Sequence, residues 1–100
     1  MTRRLLDDDE VARQLDQLPR WSGDTATLHR TYGFATFADL VAAFNDIAQA
    51  AQDADHHPDL DIRWTTLHVA CWTHDRGGVT QLDIELAHRI EEIARMHGAR

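Results

Sequence analysis

The sequence of 100 residues contains no lysine and only one cysteine, and each absence removes a class of chemistry. Without lysine there is no amine for Schiff-base formation and no lysine for a phosphate-binding P-loop. A lone cysteine, Cys71, excludes an internal disulfide and a zinc site built from several cysteines, so we expect a reducing, cytoplasmic location. No apolar run approaches the roughly 20 residues of a membrane span, and Arg3-Arg4 leads into acidic residues instead of a signal peptide's apolar stretch, so no membrane association is expected.

The sequence does contain an excess of acid and many histidines. Seventeen Asp and Glu residues against ten arginines give a formal charge of −7. A field of that sign repels phosphate backbones, so we expect no nucleic-acid partner. The seven histidines are the unusual feature, and because imidazole titrates near neutral pH they are the first place to look for chemistry. The length predicts one domain over residues 1–100.

Three amphipathic segments, over residues 7–18, 37–53 and 81–96, are predicted as helices. Acidic residues open the first segment, where the helix dipole favours them, and Thr36 and Thr80 are good capping residues for the other two. The apolar stripes have helical spacing. Their members are Val11, Leu15 and Leu18 in the first segment, Leu40, Phe44, Ile47 and Ala51 in the second, and Leu82, Leu86, Ile90 and Ile93 in the third.

Alternating residue types predict four strands between these helices. Residues 25–34 carry a half-polar stripe that predicts an exposed strand, preceded by a short strand near Trp21–Ser22 that turns at Gly23-Asp24. Residues 60–74 predict two strands divided at Thr65-Thr66, with Cys71 facing the core. The connections are too tight for parallel crossovers. The order αββαββα therefore predicts an α+β two-layer sandwich, with helices on one face of an antiparallel four-stranded sheet.

Histidines stand at two predicted element ends. Asp55-His56-His57-Pro58 follows the second helix, and Pro58 drives His57 into extended backbone. Adjacent imidazoles on extended backbone point in different directions, so both approach one small ligand, or only one of them faces it. The structural alternative is a polar helix end, where histidine is favourable near the negative end of the dipole. His74 ends the last strand before a glycine loop, which is either a ligand site or an exposed turn.

Acidic and aromatic residues extend this candidate site. Asp83, in the first turn of the last helix, is a candidate to accept a hydrogen bond from His74 and orient its ring, besides stabilising the helix N-terminus. Trp21, Trp64 and Trp72 are candidates to line a flat ligand pocket, although tryptophans are more often core residues.

The three histidines leave two chemical hypotheses open. One is a zinc site with an open coordination position. The other is metal-free catalysis in which one imidazole donates a proton and another accepts one. Spacing favours the second, because the His-x-Glu and Cys-x-x-Cys patterns of zinc sites are absent.

Taken together, these residues resemble the signature of pterin-4a-carbinolamine dehydratases. His56-His57-Pro58 is followed by the aromatic Trp64, by His74 seventeen residues after His57, and by Asp83 nine residues later. The segments Tyr32-x-Phe34-x-x-Phe37 and Thr80-x-x-Asp83-x-x-x-Ala87-x-x-Ile90 also fit, so the resemblance covers residues 5–95. Two positions depart from the family pattern. Gln52 stands where a glutamate is common, and Trp72 where a small polar residue is common.

The resemblance implies a hydro-lyase that removes water from a 4a-hydroxy-tetrahydropterin and gives the quinonoid dihydropterin, as in tetrahydrobiopterin recycling. It implies neither a metal nor a redox cofactor, and it implies a homodimer or homotetramer. The residues it implies are His56, His57 and His74 as catalytic groups, Asp55 and Asp83 as supporting acids, and Trp21, Trp72 and Thr73 at the substrate. A non-catalytic assembly or scaffold protein on the same fold is the alternative that the changed Gln52 and Trp72 keep open.

Overall fold

The structure is a computed structural model and describes residues 3–100. In this range the chain forms three helices and one four-stranded sheet. The elements in chain order are α1 (Asp8–Leu15), β1 (Ser22–Gly23), β2 (Leu28–Gly33), α2 (Phe37–Ala54), β3 (Asp59–Arg63), β4 (Thr66–Cys71) and α3 (Gln81–Met96). This is the αββαββα order predicted above, and the α+β fold class is confirmed. No helix within residues 3–100 is both long and apolar enough to cross a membrane.

The sheet has the strand order β1-β2-β4-β3, and every neighbouring pair is antiparallel. The side chains of β4 alternate, with Leu67, Val69 and Cys71 buried and His68 exposed on the opposite face. Because successive side chains of a strand point to opposite faces, one face forms the core with α2 and α3 and the other is polar. The core lies between the sheet and these two helices, and α3 contacts both central strands.

The observed ends of the helices agree with the predicted ends better than those of the strands do. Thr36 accepts a hydrogen bond from the amide of Asp39 at 3.1 Å, and Thr80 accepts one from the amide of Leu82, so both predicted caps are confirmed. Helix α1 ends at Leu15, earlier than predicted. The β3–β4 turn is Trp64-Thr65 instead of Thr65-Thr66, because Arg63 pairs with Thr66 in the sheet and Trp64 takes a positive φ of 55°.

Strand β2 was expected to be exposed, and this prediction is wrong. Leu28, Arg30 and Tyr32 face the core and are 0%, 9% and 0% exposed. The guanidinium carbon of Arg30 lies 4.1 Å from the centre of the Tyr32 ring, and its Nε lies 3.5 Å from Glu91 Oε1. A buried arginine is tolerated only where a carboxylate and a ring compensate its charge, and α3 supplies the carboxylate.

Glu91 is the acceptor of a polar cluster inside this layer. Its Oε1 accepts hydrogen bonds from Tyr32 Oη at 2.7 Å and from Trp21 Nε1 at 3.1 Å. Burial opposes ionisation of Glu91, but the hydrogen bonds from Tyr32 and Trp21 and the charges of Arg30 and Arg95 outweigh it and lower the pKa of this carboxyl. Glu91 therefore ties α3 to β2 and to the segment that follows α1.

Replacing this carboxylate by an amide is expected to destabilise the fold. Glu91→Gln should lower the free energy of unfolding at pH 7 by about 1–3 kcal/mol, because buried donors and the Arg30 charge lose an ionised acceptor. The folded pKa is lowered, so the stability that Glu91 contributes is present above its unfolded pKa and is lost as pH falls through its folded pKa. The variant should therefore lose less stability than the wild type on acidification to about pH 3.

Urea denaturation at both pH values measures this effect. The matched control is Glu92→Gln, the same change one residue further along α3, where the side chain is 70% exposed and its ion pair with Arg89 is at the surface. Equal effects of the two substitutions would contradict the assignment.

Candidate active site

The chain segments that follow α2 and β4 meet around an open cavity of about 230 Å³. His56, His57 and His74, which the sequence singled out, all line it. The remaining lining residues are Arg3, Asp55, Trp72, Thr73 and Asp75. The cavity therefore brings together three imidazoles that come from two distant parts of the chain.

The end of α2 explains why the two adjacent histidines differ. Asp55 adopts the left-handed conformation, with φ 52° and ψ 41°, which aspartate adopts more readily than most residues. The chain turns back there, and the amide of His56 donates to the carbonyl of Ala51 at 3.1 Å. His56 enters the interior and is 9% exposed, whereas His57 lies at the surface. The two rings thus point in different directions.

The carboxylate of Asp83 is completely buried and is surrounded by donors. His56 Nε2 donates to Oδ1 at 2.6 Å, while Thr73 Oγ1 and the amide of Thr80 each donate to Oδ2 at 2.8 Å. The hydroxyls of Thr73 and Thr80 also lie 2.8 Å apart. Charge-assisted hydrogen bonds of this kind fix the donor strongly. Nε2 of His56 is thus engaged with Asp83, and Nδ1 is the ring nitrogen that Asp83 does not engage.

The expected hydrogen bond between His74 and Asp83 is not formed. Thr73 points inward to Asp83, whereas His74 does not end β4, as predicted, but lies in the turn that follows it and is half-exposed. There its Nε2 lies 3.5 Å from Asp59 Oδ1, and its ring centre lies 4.2 Å from that of Trp72. Trp72 Nε1 donates to Asp59 Oδ2 at 2.7 Å. Asp59, which the sequence did not single out, therefore holds both rings.

His57 has a neutral neighbour instead of a carboxylate. Its Nε2 lies 3.2 Å from Oε1 of Gln52, which is in the last turn of α2. The glutamine is one of the two residues at which this chain departs from the common family pattern. With Nε2 donating to this carbonyl oxygen, Nδ1 of His57 is the nitrogen that accepts a proton.

Two of the tryptophans do not belong to the cavity. Trp21, predicted at the substrate, is 5% exposed and packs edge-on against Tyr32, with ring centres 6.5 Å apart. Its indole N–H is used by Glu91, so its place is the core. Trp64 is 83% exposed at the tip of the β3–β4 turn. Trp72 and Thr73 do line the cavity, although the Thr73 side chain serves Asp83.

An ion pair between Arg3 and Asp75 closes one side of the cavity. The N-terminal segment reaches this place because the amide of Leu6 donates to the carbonyl of Val79 at 2.9 Å, just before α3. No sequence spacing links residues 72 positions apart, so Arg3 could not be found in advance. Within residues 3–100, no group of three or more His, Cys, Asp and Glu side chains is arranged to hold a metal ion.

A family model described as pterin 4 alpha carbinolamine dehydratase matches residues 4–93. The chain belongs to this family. Among its relatives, a provisionally named pterin-4-alpha-carbinolamine dehydratase of Nocardia farcinica is 42% identical over 95 residues, which are 95% of this chain and all of the relative. A protein of Thermomicrobium roseum with the same provisional name is 40% identical over 89 residues, covering 89% of this chain and 96% of the relative.

Solved structures of the family share the fold. A transcriptional coactivator/pterin dehydratase from Brucella melitensis superposes with a TM-score of 0.87 at 28% identity, covering 91% of this chain and 99% of that one. A pterin dehydratase-like protein described as a RuBisCO assembly factor of the α-carboxysome superposes with a TM-score of 0.62 at 17% identity, over 75% and 87% of the two chains. The second likeness shows the fold alone.

The acceptors of Asp83 provide a test of the buried network. In Asp83→Ala both carboxylate oxygens are removed, so the His56 ring, the Thr73 hydroxyl and the Thr80 amide lose an acceptor. We expect the free energy of unfolding to fall by about 1–3 kcal/mol. Asp9→Ala, the same change in the exposed first turn of α1, should leave it within about 0.5 kcal/mol. Urea denaturation compares the two, and a neutral effect of the first substitution would contradict the network.

Proposed function

We propose that this protein removes water from a 4a-hydroxy-tetrahydropterin and produces the quinonoid dihydropterin by histidine acid–base catalysis, without a metal. The observation that carries the proposal is the single cavity lined by His56, His57 and His74. Membership of the dehydratase family supports the choice of substrate. The cavity, at about 230 Å³, is smaller than most ligand pockets, so it suits the flat pterin ring with the side chain of the pterin outside.

The proposed reaction needs one acid and one base. The C4a–O bond breaks as the acid protonates the hydroxyl group, which leaves as water. The base removes the proton from N5, and the electron pair of the N–H bond forms the N5–C4a double bond. Each proton transfer by a positioned group contributes on the order of 10²–10⁴ in rate. Loss of water is an elimination without net oxidation or reduction of the ring, so no oxidant or reductant takes part.

The neighbours of the two exposed histidines assign the roles in this proposal. His74, whose Nε2 lies 3.5 Å from the carboxylate oxygen Oδ1 of Asp59, is the acid. His57, whose Nε2 lies 3.2 Å from the amide oxygen of Gln52, is the base. His56 is fixed by Asp83 and positions the ring of the substrate through Nδ1. Asp55 supports the site through the backbone turn that directs the two histidines apart.

Substitution of His57 is the first test. In purified protein, His57→Ala should lower kcat/KM for dehydration of a 4a-hydroxypterin at least about 100-fold with the fold intact, since it removes the base. His29→Ala changes an exposed histidine on β2 outside the cavity and should leave the rate unchanged. Activity should also survive a chelator. A wild type that loses activity with the chelator and regains it with zinc would overturn the metal-free mechanism.

The part played by Asp59 is tested by removing its charge. Asp59→Asn should lower kcat/KM about tenfold, because the carboxylate that contacts His74 Nε2 and accepts from the Trp72 indole is lost. Asp61→Asn, on the same strand but engaged with Arg63 at the surface, is the matched control. An unchanged kcat/KM in Asp59→Asn would contradict the part assigned to Asp59.

The remaining parts of the proposal concern the setting of the enzyme. We propose a cytoplasmic homodimer or homotetramer that takes part in tetrahydrobiopterin recycling. The alternative, a non-catalytic assembly protein on the same fold, is distinguished by the same assay. It requires no dehydration by the wild-type protein and a protein partner that binds equally well after His57→Ala.

A further inference from the structure

A second cavity, of about 560 Å³, lies toward the other end of α3. Four arginines and one acid line it, namely Arg20, Arg30, Arg95, Arg100 and Glu91. Glu91 is eight residues beyond Asp83, which places it about 12 Å further along the helix. The catalytic histidines are absent from its lining, so it is a separate site.

The charge of this cavity is opposite to that of the protein. Four of the ten basic residues of a chain with a net charge of −7 line one surface. Arg30 is paired with Glu91, and Arg20, Arg95 and Arg100 form no ion pair with any acid in the described range 3–100. Glu91, the acid in the lining, balances only one of these four charges. Such a concentration of positive charge raises the local concentration of anions.

Arg30 places a fixed positive charge at the bottom of the cavity. Its side chain is 8% exposed, stacks on Tyr32 and donates through Nη1 to the carbonyl of Thr31. Its buried Nε lies 3.5 Å from Glu91 Oε1 and has no hydrogen-bond partner in the described residues. A buried guanidinium that is fixed in place but incompletely paired is prepared to interact with an incoming anion.

We propose that this cavity binds a small molecule that carries phosphate groups. The planar guanidinium pairs with phosphate oxygens through two parallel hydrogen bonds, and arginine is the preferred residue for this geometry. Arg30 supplies a fixed charge at the base, while the exposed Arg20, Arg95 and Arg100 close on the ligand from the rim. The volume lies within the usual range for ligand pockets, so there is room for more than a single phosphate.

Pyrophosphate and inorganic phosphate are the probes, titrated into the intact protein at low ionic strength by calorimetry. Pyrophosphate should bind with a dissociation constant below about 1 mM and more tightly than phosphate, because several arginines act together. In amide NMR spectra the indole N–H of Trp21 should shift, since it donates to Glu91 at the edge of this cavity. The indole signals of Trp64 and Trp72 should not shift.

Charge-removing variants locate the site. Arg95→Gln and Arg20→Gln change exposed side chains, so the fold should be retained, and each should weaken pyrophosphate binding about tenfold. Arg76→Gln removes the same charge from an exposed loop arginine outside this cavity and should leave binding unchanged. No heat and no Trp21 shift at about 10 mM pyrophosphate, equal weakening by all three variants, or citrate binding as tight as pyrophosphate binding would overturn the proposal.

Discussion

The carboxylate of Asp83 has no contact with solvent, and a buried charge must be surrounded by donors. Its three donors come from the turn after α2, the segment after β4 and the residue before α3. Satisfying one charge therefore fixes the relative positions of three elements. Two of the donors, His56 and Thr73, are each followed in the chain by an outward-facing histidine. The arrangement that stabilises the fold is thus the one that brings His57 and His74 to the same cavity.

A second carboxylate on α3 works in the same way at the other side of the core. Glu91 accepts from Tyr32 on β2 and from Trp21 before β1, and it compensates the buried charge of Arg30. Helix α3 is therefore attached to the sheet by two polar clusters as well as by its apolar stripe. The two clusters differ in their surroundings, because one is bordered by imidazoles and the other by arginines.

Local patterns in the sequence were sufficient for the fold and for most of the histidine site. The limits of α3 agree with the predicted 81–96, because capping by Thr80 and the spacing of Leu86, Ile90 and Ile93 are properties of neighbouring residues. Long-range pairing was not predictable in this way. The charged Arg30 in β2 favours the prediction of an exposed strand, because nothing near it in the chain indicates that Glu91 compensates its charge. For the same reason Trp21 was placed at the substrate, although its partner on α3 holds it in the core.

The sequence alone also does not indicate which histidine, His56 or His74, contacts Asp83. His56 follows α2 and His74 follows β4, and only the folded chain shows that His56 contacts Asp83 whereas His74 is exposed beside Asp59. That outcome also explains why the two departures from the family pattern are compatible with the fold. Gln52 contacts His57, and Trp72 contacts His74 and Asp59, so neither reaches the Asp83 network. Both changes alter the surroundings of the exposed imidazoles and leave intact the buried contacts that hold the site together.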